Sequence, residues 1–286
     1  MMHKKLHLLP NILTAFGLTC GLFVIFKLGM TPLDKIDERS LTIAAGFLLL
    51  AGVFDFLDGA LARAMHAESE FGGLFDSLAD AISFGVAPSI LFLKTLSYDP
   101  GTPYAFFVTS AALIYSVCGV LRLVRFNVQA NKNKGDHELE LAGKKNFTGL
   151  PIPGAALCSV SLTLFTLSQE FRYLIDLEML GRTILLCCGM FTLGYLMISK
   201  LKFPSLKGLQ IRVASFRLVA MIVLISVLIF YGLLHHFSMM LFLVSWGYIL
   251  ISLTLSLIRI VAGKKIAALD DFEPEADEDF FDDISE

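Results

Sequence analysis

Eight apolar stretches succeed one another along this sequence, and they restrict the fold more than any single motif does. They run over residues 12–29, 41–62, 74–96, 104–126, 152–168, 181–199, 215–234 and 238–260. Each is about long enough to cross the ~30 Å of a bilayer's hydrocarbon as a helix. Backbone N–H and C=O groups in lipid must find partners within the protein, so this pattern predicts an all-α polytopic membrane protein of about eight transmembrane helices. Composition agrees. Of 286 residues, 56 % are hydrophobic and the mean hydropathy is +0.71, far above a soluble domain. Lys4 and Lys5 ahead of the first stretch imitate the start of a signal peptide. No clean small-x-small cleavage site follows and seven further spans come after, which predicts a retained helix.

The basic residues sort by loop. Counted alternately, one side of the membrane receives 17 Lys and Arg, and the other only Lys27, Lys35, Arg39, Lys94, Arg172 and Arg182. This split predicts that both termini and the loop after the second span are cytoplasmic, in an inner or plasma membrane, and it works only with an even number of spans. The formal net charge of −3 averages two unlike parts, because residues 270–286 hold ten Asp or Glu and no Lys or Arg. With those ten set aside, 23 basic residues face 16 acidic ones, a net of +7. A basic body suits an anionic lipid surface. The acidic stretch over 266–286 has the composition of a disordered tail. Nucleic-acid binding is excluded as a reading, since the basic residues flank apolar spans and form no domain of their own. The five cysteines, Cys20, Cys118, Cys158, Cys187 and Cys188, fall in apolar stretches without metal-ligand or redox spacing, and are expected to serve packing.

Against this background the 26 residues from Asp55 to Asp80 stand out. Four carboxylates lie in membrane-like sequence, where an ionised acid is costly and signals function by default. Asp55, Asp58, Gly59 and Ala62 fall at i, i+3, i+4 and i+7, one face of a helix. Gly72, Asp76 and Asp80 fall at steps of four on one face of a second helix, and the polar stretch 63–72 can reverse the chain between them. With antiparallel helices, Asp58 and Asp76 would lie roughly 5 Å below the loop and Asp55 and Asp80 roughly 10 Å below it, from the helical rise. Carboxylates facing one another at about 4 Å repel by about 4 kcal/mol at an effective dielectric of about 20. Such a cluster binds either protons, as in a transporter's relay, or cations. Oxygen-only ligands suit Mg²⁺ or Mn²⁺, and two such ions would balance four carboxylates and leave positions for phosphate oxygens. Gly59, Ala62 and Gly72 remove bulk from the same faces, which makes room for a ligand near the backbone and is not something a proton relay needs.

The string Asp55-x2-Asp58-Gly59-x2-Ala62-Arg63-x8-Gly72-x3-Asp76-x3-Asp80 resembles the signature of the CDP-alcohol phosphotransferases at every fixed position. Residues 76–88 (Asp-Ser-Leu-Ala-Asp-x-x-Ser-Phe-Gly-Val-Ala-Pro) are similar to an extended motif of that family's bacterial and archaeal phosphatidylserine synthases. So are Pro10-Asn11-Ile-Leu-Thr14, Arg122-Leu-Val-Arg125-Phe-Asn127 and Phe147-Thr-Gly-Leu-Pro151-Ile-Pro153. The resemblance covers roughly residues 10–155. It implies the family's fold, a transmembrane catalytic domain over 1–265, a homodimer, and transfer of a phosphatidyl group from CDP-diacylglycerol to L-serine with release of CMP. It also implies metal binding by Asp55, Asp58, Asp76 and Asp80, with Asp80 as general base, and a CDP site at Gly59, Arg63 and Ser69. The same chemistry with another acceptor (glycerol 3-phosphate, inositol or its phosphate) is the alternative within the family.

Residues outside the string have two readings each. Pro10 and Asn11 suit a helix start, with Asn11 as N-cap, or Asn11 and Thr14 face the nucleotide. Ser83 continues the Asp76/Asp80 face. Pro88 inside a span should kink it and free carbonyls that then need a partner. Arg122 and Arg125, one turn apart at the expected end of the fourth span, either snorkel to lipid phosphates or, with Asn127, bind a substrate phosphate or the serine carboxylate. The glycines and prolines of residues 147–154 predict a shaped loop end at a span entrance.

Overall fold

The computed structural model describes residues 8–65, 69–96, 98–99, 101–132, 146–175, 177–204, 232 and 235–262. Helix α1 spans Leu8–Met30, α2 Glu38–Ala64, α3 Glu70–Leu96, α4 Pro103–Lys132, α5 Ile152–Leu167, α6 Gln169–Leu174, α7 Met179–Ile198 and α8 Phe237–Ala262. Among the described residues six helices, α1 to α4, α7 and α8, are long and apolar enough to cross a membrane. The predicted span at 152–168 is the 16-residue α5. The span expected at 215–234 lies almost wholly outside the described residues.

Local sequence explains the boundaries. The described part of α1 is helical from Leu8, so Pro10 and Asn11 both lie within the helix. Asn11 is therefore helical, and its expected N-cap role is corrected: its side chain is free for another contact. Asp37 caps α2, its Oδ1 accepting from Ser40 N at 3.0 Å, and that bond holds its carboxyl below the usual range. Ser69 caps α3 in the same way, its Oγ accepting from Gly72 N at 3.0 Å. Five residues, 65–69, separate α2 from α3 in the sequence.

Helix α3 is α-helical over Glu70–Asp80, π-helical over Ala81–Val86 and α-helical again over Ala87–Leu96. Pro88 has no N–H to offer Phe84 O, and the expected orphan carbonyl does find a donor from the next span. Tyr115, fully buried, donates its hydroxyl to Phe84 O at 3.0 Å, and Ser116 Oγ donates to Gly85 O at 2.9 Å. The proline thus re-phases the helix through a π turn, whose loosened carbonyls α4 satisfies.

Helix α5 is the hub. Every residue from Cys158 to Leu167 is buried by neighbouring helices, including Ser159, Ser161, Thr163 and Thr166. Ser161 Oγ meets Ser245 Oγ of α8 at 2.7 Å, and Trp246 Nε1 donates to Cys158 O at 3.1 Å. Protein rather than lipid surrounds α5, which is why a helix of this length holds its place. Helices α1 and α2 pack together on one flank and α4 and α7 on the other. The all-helical expectation omits one small feature. Asn146–Thr148 (β1) pairs antiparallel with Lys202–Pro204 (β2), in the register Asn146↔Pro204, Phe147↔Phe203 and Thr148↔Lys202. Cys187 is buried and Cys188 exposed, on different faces of α7, and all five cysteines are free thiols.

Candidate active site

Three helices meet at the acidic string. Thr14 and Gly17 of α1, Ala51, Asp55 and Asp58 of α2, and Asp76, Ala79, Asp80 and Ser83 of α3 line a cavity of ≈ 10 Å³. That is about the space of one water. Small residues on α1 set the approach: a methyl group on Gly21 would lie 2.8 Å from Ser83 Cα, so α1 and the π turn touch backbone to backbone. Ser83 is buried there and its Oγ donates to Gly17 O at 3.4 Å.

One oxygen each from Asp55, Asp76 and Asp80 lies within 4.8 Å of the others. Oxygens that share a divalent ion are separated by at most about twice the metal–oxygen distance, roughly 4–5 Å for bonds of about 2.0–2.4 Å. The trio therefore fits a hard cation in both donor type and spacing. Asp55 and Asp80 are within hydrogen-bond reach of each other, the meeting expected of the deeper pair. Asp58, expected opposite Asp76, stands outside the trio. It is 4 % exposed, and its Oδ2 accepts from Thr14 Oγ1 at 2.6 Å. Asp58 nevertheless lines the shared cavity.

The residues expected to face a nucleotide gather around the start of α3. A methyl on Gly72 would lie 3.0 Å from Ser69 Oγ and 3.1 Å from Asn11 Oδ1, so these three residues from two helices and a cap adjoin. Arg63 folds back along α2: a methyl on Gly59 would lie 3.3 Å from its Nη1, and its charge reaches Asp55 and Asp58. Ala62 is half-buried beside it.

The Arg122–Asn127 segment divides. Helix α4 runs on to Lys132, so Arg122 is well inside it and 8 % exposed, which rules out snorkelling to lipid. Arg122 is within electrostatic reach of Asp80, and its Nε has no hydrogen-bond partner among the described residues. Arg125 instead reaches the end of α7, its Nη1 donating to Ile198 O at 2.9 Å and its Nη2 to Ser199 O at 3.5 Å. Asn127 pairs with Ser77 of α3, with Nδ2 3.2 Å from Ser77 Oγ. Of the three, Arg122 alone points its charge at the acidic cluster. Sequence reasoning missed the support of the π turn by Tyr115 and Ser116; the signal was two adjacent hydroxyls in an apolar span, one span after an intrahelical proline.

The model of the CDP-alcohol phosphatidyltransferase family matches residues 7–195, which include every site residue named above. The chain belongs to that family. Three relatives extend the comparison. The chain is similar to the CDP-diacylglycerol–serine O-phosphatidyltransferase of Bacillus subtilis (strain 168), 36 % identical over 199 residues, which are 70 % of this chain and 91 % of the relative. The enzyme of that name from Helicobacter pylori (strain J99) is 30 % identical over 217 residues, 76 % of this chain and 80 % of the relative. The archaetidylserine synthase of Methanothermobacter thermautotrophicus is 34 % identical over 206 residues, 70 % of this chain and 71 % of the relative. Membership of that family and the six apolar helices make this an integral membrane enzyme, and among the described residues its acidic trio is a group that could hold a divalent ion.

Proposed function

We propose that this CDP-alcohol phosphatidyltransferase transfers the phosphatidyl group of CDP-diacylglycerol to L-serine, giving phosphatidylserine and CMP. The observation that carries the reading is the convergence of Asp55, Asp76 and Asp80 within 4.8 Å, on the string that matches the family. The serine-specific names of the relatives supply the acceptor. The serine hydroxyl oxygen forms a bond to the lipid-linked phosphorus, the pyrophosphate P–O bond breaks, and CMP leaves with that oxygen. Asp80 takes the hydroxyl proton on a carboxylate oxygen. Asp55, Asp76 and Asp80, with Asp58 beside them, would hold one or two Mg²⁺ or Mn²⁺ ions, which would neutralise diphosphate charge and favour in-line displacement.

The other residues bind and orient. Thr14 fixes Asp58 at the wall of the cavity by donating its hydroxyl to Oδ2. Asn11, Ser69 and Gly72 bind the CDP headgroup at the start of α3, where backbone N–H groups favour phosphate, and Gly59, Ala62 and Arg63 bind it from α2. Arg122 binds the serine carboxylate or the lipid-linked phosphate, because it is buried, faces Asp80 and keeps a donor uncommitted. Ser83 and Asn127 act through packing, on Gly17 and Ser77 respectively. The 17-to-6 distribution of basic residues supports a cytoplasmic site with both termini on that side. The catalytic domain is residues 1–265, and the working unit is a homodimer by family resemblance. A panel of alcohol acceptors with radiolabelled CDP-diacylglycerol, read by thin-layer chromatography, tests the reading. Serine should give the labelled lipid and EDTA should abolish it. Product with glycerol 3-phosphate or an inositol but none with serine would reassign the acceptor.

A further inference from the structure

The acidic face of α3 is set by an element that touches no substrate. Asp76 and Asp80 precede the π turn, whereas Ala87, Pro88, Leu91, Phe92 and Leu96, which follow it, are locked in the core. A π turn holds one residue more than the α-helical path. Its loss would rotate the acidic face by about 100° relative to the anchored half. Whatever keeps the π turn in place therefore keeps Asp80 opposite Asp55.

Two glycines form a notch at that turn. A methyl on Gly119 of α4 would lie 3.7 Å from Gly85 Cα and 2.9 Å from Ile152 Cδ1, and one on Gly85 would lie 3.6 Å from the same Cδ1. The tip of Ile152 thus occupies the space that side chains would fill at both positions, and Ile152 is fully buried. It is the first residue of α5, directly after a strongly held segment. Gly149, at φ +77°, donates its N–H to Leu201 O at 2.8 Å, and Leu150 donates to Leu196 O at 3.0 Å. A methyl on Gly149 would lie 2.5 Å from Met197 O, so the loop is pressed against the end of α7 that Arg125 caps. The β1–β2 pair closes the same junction.

We propose that Ile152 is a positioning residue: a wedge in the Gly85–Gly119 notch that fixes the π turn and hence the spacing of Asp80 from Asp55. The Gly149 loop and Arg125 form the clasp that sets its depth. The proposal rests on the catalytic reading above but concerns residues outside the acidic string. Arg125 accordingly acts through α7 and α5, in contrast to Arg122, which faces the cluster.

The test uses the full-length purified protein and two readouts: CMP release from CDP-diacylglycerol and serine, and Mn²⁺ binding without substrates, followed by the spin-resonance signal of free Mn²⁺. Ile152→Val deletes the wedge's terminal methyl, and Gly119→Ala drives a methyl into it. Each single change should lower kcat, about threefold for Ile152→Val and at least tenfold for Gly119→Ala, with KM for serine within twofold. The half-saturating Mn²⁺ concentration should rise in both. The double variant Gly119→Ala/Ile152→Val should recover most of the lost kcat and Mn²⁺ affinity, since the clashing atom is gone. Unchanged Mn²⁺ affinity and kcat per Mn²⁺-binding enzyme in Ile152→Val would overturn the proposal, even should Gly119→Ala fail to fold. No recovery in a folded double variant would overturn it as well. Were the wild type inactive with serine, the acceptor assignment would fail, and the wedge would still be decided by the Mn²⁺ isotherms.

Discussion

Asp80 combines two duties that a substitution can separate. Its carboxylate is one of three gathered within 4.8 Å, and it is also the acid toward which Arg122 is directed. Asp80→Asn keeps the shape and a carbonyl oxygen but loses the capacity to take a proton. Transfer should fall by at least a thousandfold, while Mn²⁺ binding weakens only partly because Asp55, Asp76 and Asp58 remain. Turnover like the wild type's would remove Asp80 as base. Arg122→Lys retains the charge but loses the planar fork, so lysine should substitute poorly. A raised KM for serine alone assigns Arg122 to the carboxylate, and a raised KM for CDP-diacylglycerol assigns it to phosphate. Unaltered kinetics for both substrates would contradict its place in the site. At this scale the sequence was highly legible for the aspartates, because i, i+3 and i+4 spacing dictates a shared helix face. It was less so for Arg122 and Arg125. Their one-turn spacing placed them together, yet the partners that distinguish them, Asp80 and the Ile198 carbonyl, come from other helices.

Element by element, the π turn of α3 is the feature whose support is most open to measurement. Tyr115 donates to the carbonyl that Pro88, lacking an N–H, cannot serve, and the tyrosine is fully buried. Tyr115→Phe removes only the donor, and a buried acceptor left unsatisfied costs about 1–3 kcal/mol. The variant should unfold at a lower temperature in detergent and lose Mn²⁺ affinity in parallel. Equal stability would mean that Phe84 O finds another donor. Pro88 announced an orphan carbonyl in the sequence, but nothing local could say who would satisfy it. The reverse held at Asn11. Its local context suggested a cap, whereas the chain is already helical at Leu8 and tertiary packing brings Asn11 to Gly72. The β1–β2 pair was illegible because three-residue strands, 58 positions apart at their outer ends, have no periodicity to read.

On the scale of the whole chain, hydropathy reported the architecture well because lipid imposes the same length on each span. The stretch it marked at 152–168 is the 16-residue α5, whose apolar sequence also serves burial among other helices. Composition also divides the chain: the family match ends at residue 195, and the ten acids of 270–286 lie far beyond it. Truncation after residue 269 should leave turnover per inserted enzyme within about threefold, measured as CMP release from membranes. A hundredfold loss would place a regulatory or assembly role in that stretch. The central claim, transfer of the phosphatidyl group onto the serine hydroxyl at the aspartate cluster, is tested most directly with serine labelled by oxygen-18 at its hydroxyl. Product lipid and CMP from the purified enzyme would be weighed by mass spectrometry, with Mn²⁺ and with EDTA. The account predicts phosphatidylserine that retains the heavy oxygen, unlabelled CMP, and no product in EDTA. Heavy oxygen in CMP, phosphatidylserine without it, or equal yield in EDTA would contradict the account.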